Sequence, residues 1–165
     1  MSPRASLRPA GAGDGEFLFQ VFFHTRQAEF AAAGWEPAMV EAFLRSQHQF
    51  QDRSYRSAHP RARFQVVLLD GAPVGRLYVD PGPEAIHIID IALLPAHRSQ
   101  GLGTELLEDL VREADAGGLR MTLEVESGNP ARGLYRRLGF LERETQGFHL
   151  RMERPAMAPV RARRA

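Results

Sequence analysis

The sequence predicts a single-domain α/β fold with helices on both sides of a central mixed sheet, and three observations predict it. Apolar residues recur at helical spacing up to about residue 58. From Phe64 the period shortens to that of strands, and strand-like and helix-like segments then alternate along the chain. The 165 residues suit one compact core, and no internal repeat or linker divides them.

Each element follows from local signals. An extended start at residues 5–9 precedes Asp14, a candidate N-cap for a helix in which Phe17, Leu18, Val21 and Phe22 share a face and which Gly34 ends. Pro37, just inside the next start, opens a second helix to about Ala58, with Val40, Phe43, Leu44 and Phe50 as its apolar stripe and His59-Pro60 closing it. Residues 64–69, the turn Asp70-Gly71 and residues 74–79 read as a hairpin of two strands. After Pro81-Gly82-Pro83, residues 85–94 are nearly continuous in isoleucine and leucine, the pattern of a central strand covered on both faces.

Arg98 to Gly103 then leads into a strongly periodic helix with Leu102, Leu106, Leu107, Leu110 and Val111 on one side, ended by Gly117-Gly118. Residues 121–125 read as a strand. Asn129 is placed as the N-cap, and Pro130 as the first position, of a helix that reaches Leu138-Gly139. Strands are expected at residues 140–145 and 148–152. Residues 1–154 make up the domain, and the arginine-rich tail at 155–165 has little to bury and is expected to be disordered.

Composition removes several chemistries. With no cysteine there is no thiol nucleophile, thiolate metal cluster or disulfide. There is no lysine, so Schiff-base chemistry is excluded, and a nucleophile must come from the substrate or a hydroxyl. A formal charge of +1 provides no general field for nucleic acid or a membrane, and scattered arginines are all that favour an RNA binder. No apolar run approaches the ~18 residues of a membrane span, and the N-terminus lacks the apolar core of a secretory signal, so the expected location is cytoplasmic. The histidines show no metal-ligand spacing with carboxylates, so no metal is expected.

Arg98-Ser99-Gln100-Gly101-Leu102-Gly103-Thr104 lies between a strand and a helix, where the first turn leaves four backbone N–H groups unpaired. Glycine at 101 and 103 removes the side chains that would block close approach, so a pyrophosphate could rest at the positive helix end. No lysine follows the glycines, as a Walker loop requires, and Leu106 stands where a dinucleotide fingerprint needs its third glycine.

The stretch from Asp90 to Leu107 resembles the acetyl-CoA signature of the Gcn5-related N-acetyltransferases (GNAT family), with Arg98, Gly101 and Gly103 matching its arginine and glycines. The resemblance implies an acyl-CoA N-acyltransferase fold with a mostly antiparallel sheet, and acetyl-CoA as cosubstrate without a metal. It also implies that Arg98 contacts CoA, that Ser99, Gln100, Gly101, Leu102, Gly103 and Thr104 hold the CoA pyrophosphate and that Ile91, Leu93 and Leu94 line the pantetheine, with backbone at Leu93 polarising the acetyl carbonyl.

A second stretch, from Leu123 to Phe140, resembles the family's other motif of strand, asparagine, helix with Leu134-Tyr135, then Gly139-Phe140. By that resemblance Asn129 contacts CoA, Tyr135 binds CoA and protonates the departing thiolate as general acid, and Glu124 is the base that takes the amine's proton. Asp90, an ionisable group in an apolar strand, is a rival base, and either acid could instead be the structural partner of an arginine.

The resemblance further implies an amine acceptor, either a small molecule or a protein N-terminus, recognised by the first two helices, and it leaves a homodimer open. His24, Arg26, Glu29 and Trp35 near the inter-helix turn, and Gln47, Gln51 and Tyr55 along one helical edge, fit either an acceptor wall or a solvated surface. Two alternatives remain at this stage: another acyl-CoA or an oxygen acceptor, and a CoA-binding sensor without turnover.

Overall fold

The computed structural model describes residues 5–157. From residue 158 on, the tail expected to be disordered lies outside the described residues, and Pro155 to Met157 are irregular and exposed. The elements are β1 (Ala5–Pro9), α1 (Gly15–Ala32), α2 (Pro37–Ala58), β2 (Arg63–Leu69), β3 (Ala72–Pro81), β4 (Ala85–Leu93), α3 (Leu102–Gly117), β5 (Arg120–Glu126), α4 (Arg132–Arg137), β6 (Leu141–Gln146) and β7 (His149–Arg154). The seven strands are ordered β1-β2-β3-β4-β5-β7-β6. β4 and β5 pair in parallel, whereas β1 with β2, β5 with β7 and β6 with β7 pair antiparallel. This is the mixed, mostly antiparallel α/β fold that the sequence predicts.

The chain divides into two compact units, one running to Tyr78 and including Asp90–Gly103, the other Val79–Ile89 together with Thr104 onward. In the first, α1 and α2 pack through the buried Phe19, Phe22, Val40 and Leu44, with Phe23 and Phe30 alongside. Each such burial contributes roughly 1.5–3 kcal/mol. The exposed Arg45–Glu16 ion pair, at 2.9 Å, belongs to a class worth about 0–1 kcal/mol, so apolar contact holds the two helices together.

Two residues expected in the stripe of α2 lie outside this cluster: Phe43 and Phe50 are exposed. Phe43 instead stacks with Phe30 and Trp35 near the turn between the helices, at ring separations of 5.3 and 5.6 Å. Asp14 is the N-cap residue of α1 as expected, but its side chain makes no capping bond to the helix. Its carboxylate accepts from the Gly11 N–H at 2.7 Å and from both terminal nitrogens of Arg8 at 2.8 Å, so it ties the preceding turn to β1. The hairpin turn is as expected, with Asp70 and Gly71 both in the left-handed region, at φ 50° and 83°, which the tight turn between β2 and β3 demands.

In the second unit, Met121, Leu123 and Val125 of β5 and Leu150 and Met152 of β7 are buried, as are Leu106, Leu107, Leu110 and Ala114 of α3. The intervening β5 and β7 residues alternate to the other face, which leaves Glu124, Glu126, His149 and Arg151 exposed. Arg154 is the exception among the buried β7 positions: its Nε donates to the Leu138 carbonyl at 2.9 Å and its Nη1 to Asp115 at 2.6 Å. β6 closes one end of the sheet order with all six residues exposed and an irregularity in its register between Glu142 and Thr145.

Candidate functional site

The parallel ladder of β4 and β5 covers Ala85 to Ile88 against Arg120 to Leu123. Both strands run on, β4 to Leu93 and β5 to Glu126. β4 is the middle strand of the order, yet only Ile86 and Ile88 are buried, and Ile91, Leu93 and Leu94 are half-buried rather than covered on both faces. The nearly continuous apolar run therefore marks a stretch with an uncovered flank.

The end of β4 is held firmly from β3. Leu94 N–H donates to the Val74 carbonyl at 2.9 Å. At Gly75 the two backbones approach so closely that a Cβ would stand 2.4 Å from the Ala92 carbonyl oxygen and 3.1 Å from Leu93 Cα. Only glycine allows that approach.

Leu94 leads into a short turn at Pro95–His97 and then the loop. Ser99 and Gly101 both adopt positive φ, 59° and 82°, and α3 starts at Leu102. Arg98, Ser99, Gln100 and Gly101 are exposed, Gly103 and Thr104 are half-buried, and Leu102 is buried as the anchor of the helix. A side-chain carbon at Gly101 or Gly103 would meet nothing within 4 Å, so the backbone is uncovered on that side of both glycines. The left-handed Ser99 is unusual for a residue with a side chain. Arg98 turns back to the protein: Nε donates to the Leu93 carbonyl at 2.9 Å and Nη2 to the His24 carbonyl at 3.4 Å. Gln100 Nε2 donates to the Ala96 carbonyl at 3.0 Å. The Arg98 and Gln100 side chains are thus engaged with the protein's own carbonyls.

Asp90 sits on β4 in an ion pair with Arg76 of β3, Nη2 to Oδ2 at 2.6 Å, and the Arg76 side chain is only 3% exposed. Gln51 and Tyr55, two members of the helical ladder noted in the sequence, join this pair. Gln51 Oε1 accepts from Arg76 at 3.0 Å, and the Tyr55 hydroxyl donates to Asp90 at 3.3 Å. Burial, reinforced by the negative charge of Asp90, pushes the Tyr55 phenol above its ordinary range, so it stays a donor. Arg76 and Gly75 were missed in the sequence reading. An arginine inside an otherwise apolar strand was the available signal.

In the second unit Glu124 faces Arg151 across the β5–β7 ladder and Glu126 faces His149. Glu124, with Glu144, Gln146, His149 and Arg151, lines a small hollow of about 90 Å³. Asn129 shapes the turn that follows: its Oδ1 accepts from Ala131 N–H at 2.9 Å. That corrects the expected N-cap, because α4 begins at Arg132, after Pro130 rather than with it. Tyr135 is buried, its ring edge-on to Phe140 at 5.8 Å. Arg132 and Arg136 converge on Glu142, which draws the carboxylate below its usual range. Among the described residues no cluster of three or more histidine, aspartate or glutamate side chains could hold a metal, and no helix is long and apolar enough to cross a membrane.

Comparison with known proteins agrees with this arrangement. Residues 22–140 match the model of the acetyltransferase (GNAT) family. Among solved structures, the paia N-acetyltransferase of Thermoplasma acidophilum, in complex with coenzyme A, superposes with a TM-score of 0.69 at 18% identity over 94% of this chain and 99% of that one. An acetyltransferase of Thermus thermophilus reaches 0.64 at 27% identity over 92% and 96%. A histone acetyltransferase HPA2 and related acetyltransferase of Corynebacterium glutamicum reaches 0.68 at 21% over 95% and 99%. The family match spans the loop before α3, Glu124 and Tyr135 alike, and the chain therefore belongs to the GNAT acetyltransferases, a family that implies acyl transfer from CoA.

Proposed function

We propose that this protein transfers the acetyl group of acetyl-CoA directly to an amine, a small molecule or a protein N-terminus, without an acyl-enzyme. The observation that carries the reading is the loop before α3, where Ser99 and Gly101 take left-handed conformations and open space lies beside Gly101 and Gly103. Amides at residues 99–104 then grip the pyrophosphate at the positive helix end. Arg98 supports the site indirectly, by holding Leu93 and the loop together. Ile91 and Leu93 offer backbone groups to the amide-rich pantetheine arm, Leu94, whose N–H and carbonyl are bonded to Val74 and His97, borders it through its side chain, and a backbone N–H near Leu93 stabilises charge on the thioester oxygen.

Glu124 is the base of this reading. It is exposed and has an open hollow beside it, whereas Asp90 is already engaged with Arg76 and Tyr55. The amine gives its proton to Glu124 as its nitrogen bonds to the acetyl carbon, the carbon–sulfur bond breaks, and Tyr135 supplies a proton to the departing thiolate. Asn129 shapes the turn between the two catalytic positions and is assigned a CoA contact from its place in the motif.

The test is calorimetry with CoA and acetyl-CoA, followed by CoA release over a panel of amines, alcohols and other acyl-CoA donors. Binding together with amine-dependent release is expected. Binding with no release on any acceptor would replace the enzyme by a CoA sensor, and no heat with either ligand would remove the reading.

A further inference from the structure

The ladder with β5 ends at Ile88, before the residues proposed to meet the pantetheine. A strand end without a partner on one edge is ordinarily the first part of a sheet to open. In β4 that stretch is tied from the β3 and α2 side instead. Asp90 Oδ2 accepts from Arg76 at 2.6 Å and from Tyr55 at 3.3 Å, and Arg76 reaches on to Gln51 at 3.0 Å. One residue before Arg76, Gly75 admits the Ala92 carbonyl to a distance no side chain would tolerate.

A buried ion pair is a costly way to join two strands, since apolar residues of the same volume often serve as well or better for stability. Directional bonds provide something apolar packing lacks. They fix the place of Asp90 along β3, and with it the position of the peptide groups that follow. Arg76 is almost wholly buried, Asp90 keeps only 17% exposure, and their partners come from an element outside the sheet, so shifting β4 would break several bonds at once.

We propose that Arg76 and Asp90, supported by Gln51 and Tyr55, are positioning residues that hold residues 91–93 ready to pair with the pantetheine arm, so that CoA affinity depends on a network that does not touch it. This rests on the reading of β4 as the pantetheine site. The network pre-organises the strand, and binding then costs less ordering.

The test combines calorimetric CoA affinity, melting temperature and amide hydrogen exchange at residues 91–93 for the wild type, Arg76→Lys, Tyr55→Phe and the double variant Arg76→Met/Asp90→Leu. The double variant is expected to melt close to the wild type, to exchange the amides of 91–93 about tenfold faster and to bind CoA about tenfold more weakly. Tyr55→Phe should shift in the same direction by less, and Arg76→Lys should retain part of the affinity. If the double variant does not fold, those two milder variants decide. Exchange and affinity unchanged in the folded variants overturn the positioning role. A wild type that binds no CoA overturns the pantetheine reading instead, and exchange at 91–93 alone then decides whether the network holds the strand.

Discussion

Arg98 Nε donates to the carbonyl oxygen of Leu93 at 2.9 Å, so the arginine of the loop motif closes back onto the end of β4. Its second contact, to the His24 carbonyl, joins the same group to α1. Arg98→Ala removes both while leaving the loop amides in place. CoA affinity should fall about three- to tenfold, equivalent to one or two ordinary hydrogen bonds, with little change in melting temperature. Calorimetry beside thermal denaturation checks this, and abolished binding would mean that the guanidinium itself grips the phosphates.

Gly103 separates stability from binding. It lies inside α3 with open space around it and an ordinary helical φ, so Gly103→Ala should stabilise the fold by about 0.5–1 kcal/mol. The new methyl would stand where the pyrophosphate approaches, so CoA affinity should drop. Melting temperature and calorimetry are expected to move in opposite senses, and a variant that gains in both would place the anion elsewhere.

Gly75→Ala should destabilise by about 1–3 kcal/mol, because the added carbon meets backbone atoms of Ala92 and Leu93, which cannot swing away as the Leu93 side chain beside them can. Gly13→Ala, where nothing lies within 4 Å, is the matched control and should change stability little. Denaturant unfolding of the two variants measures the difference.

Tyr135→Phe retains the ring packed on Phe140 and removes only the hydroxyl, so the fold and CoA affinity should persist while kcat falls about 10²–10⁴-fold. Glu124→Gln, on the exposed face of β5, should lower kcat without destabilising the chain, with partial recovery at high pH as more amine is already deprotonated. Steady-state kinetics against pH tests both.

His48 packs between α1 and α2 against Phe19 and Phe22, with ring separations of 5.9 and 5.4 Å. Burial first, then the positive charge of Arg76, lowers its pKa from 6.5, with Arg45 acting the same way and Asp52 and Asp90 opposing. The unfolded chain therefore binds a proton more readily than the folded one. This contribution is fully present above pH 6.5 and is lost as pH falls below it toward the lower folded value. His48→Phe keeps the aromatic contact, and its melting temperature should fall less steeply from neutral pH toward pH 5 than that of the wild type.

Most element boundaries could be read from the chain because they are local matters: Pro37 opening α2, Asp70-Gly71 turning the hairpin, paired glycines ending α3. The loop before α3 could be read for the same reason. What escaped was tertiary. Nothing near Phe43 or Phe50 says that their side of α2 is uncovered, and Asp14 spends its carboxylate on a residue six positions earlier. Gln51, Tyr55, Arg76 and Asp90 come from α2, β3 and β4, so their union is written only in the folded chain. Asn129 was recognised as a turn-former, yet its bond to Ala131 delays the helix to Arg132, a matter of backbone angles that residue type does not set.

β6 presents Glu142, Arg143 and Glu144 at the rim of the sheet, beside a break in regular spacing. A foreign strand seeking to extend the array there would have to desolvate charged groups and match an uneven row of amides. The chain thus guards itself against fibre-like accretion at that margin, and replacing these charges with valine or threonine should make concentrated solutions turn cloudy well before the fold itself is lost.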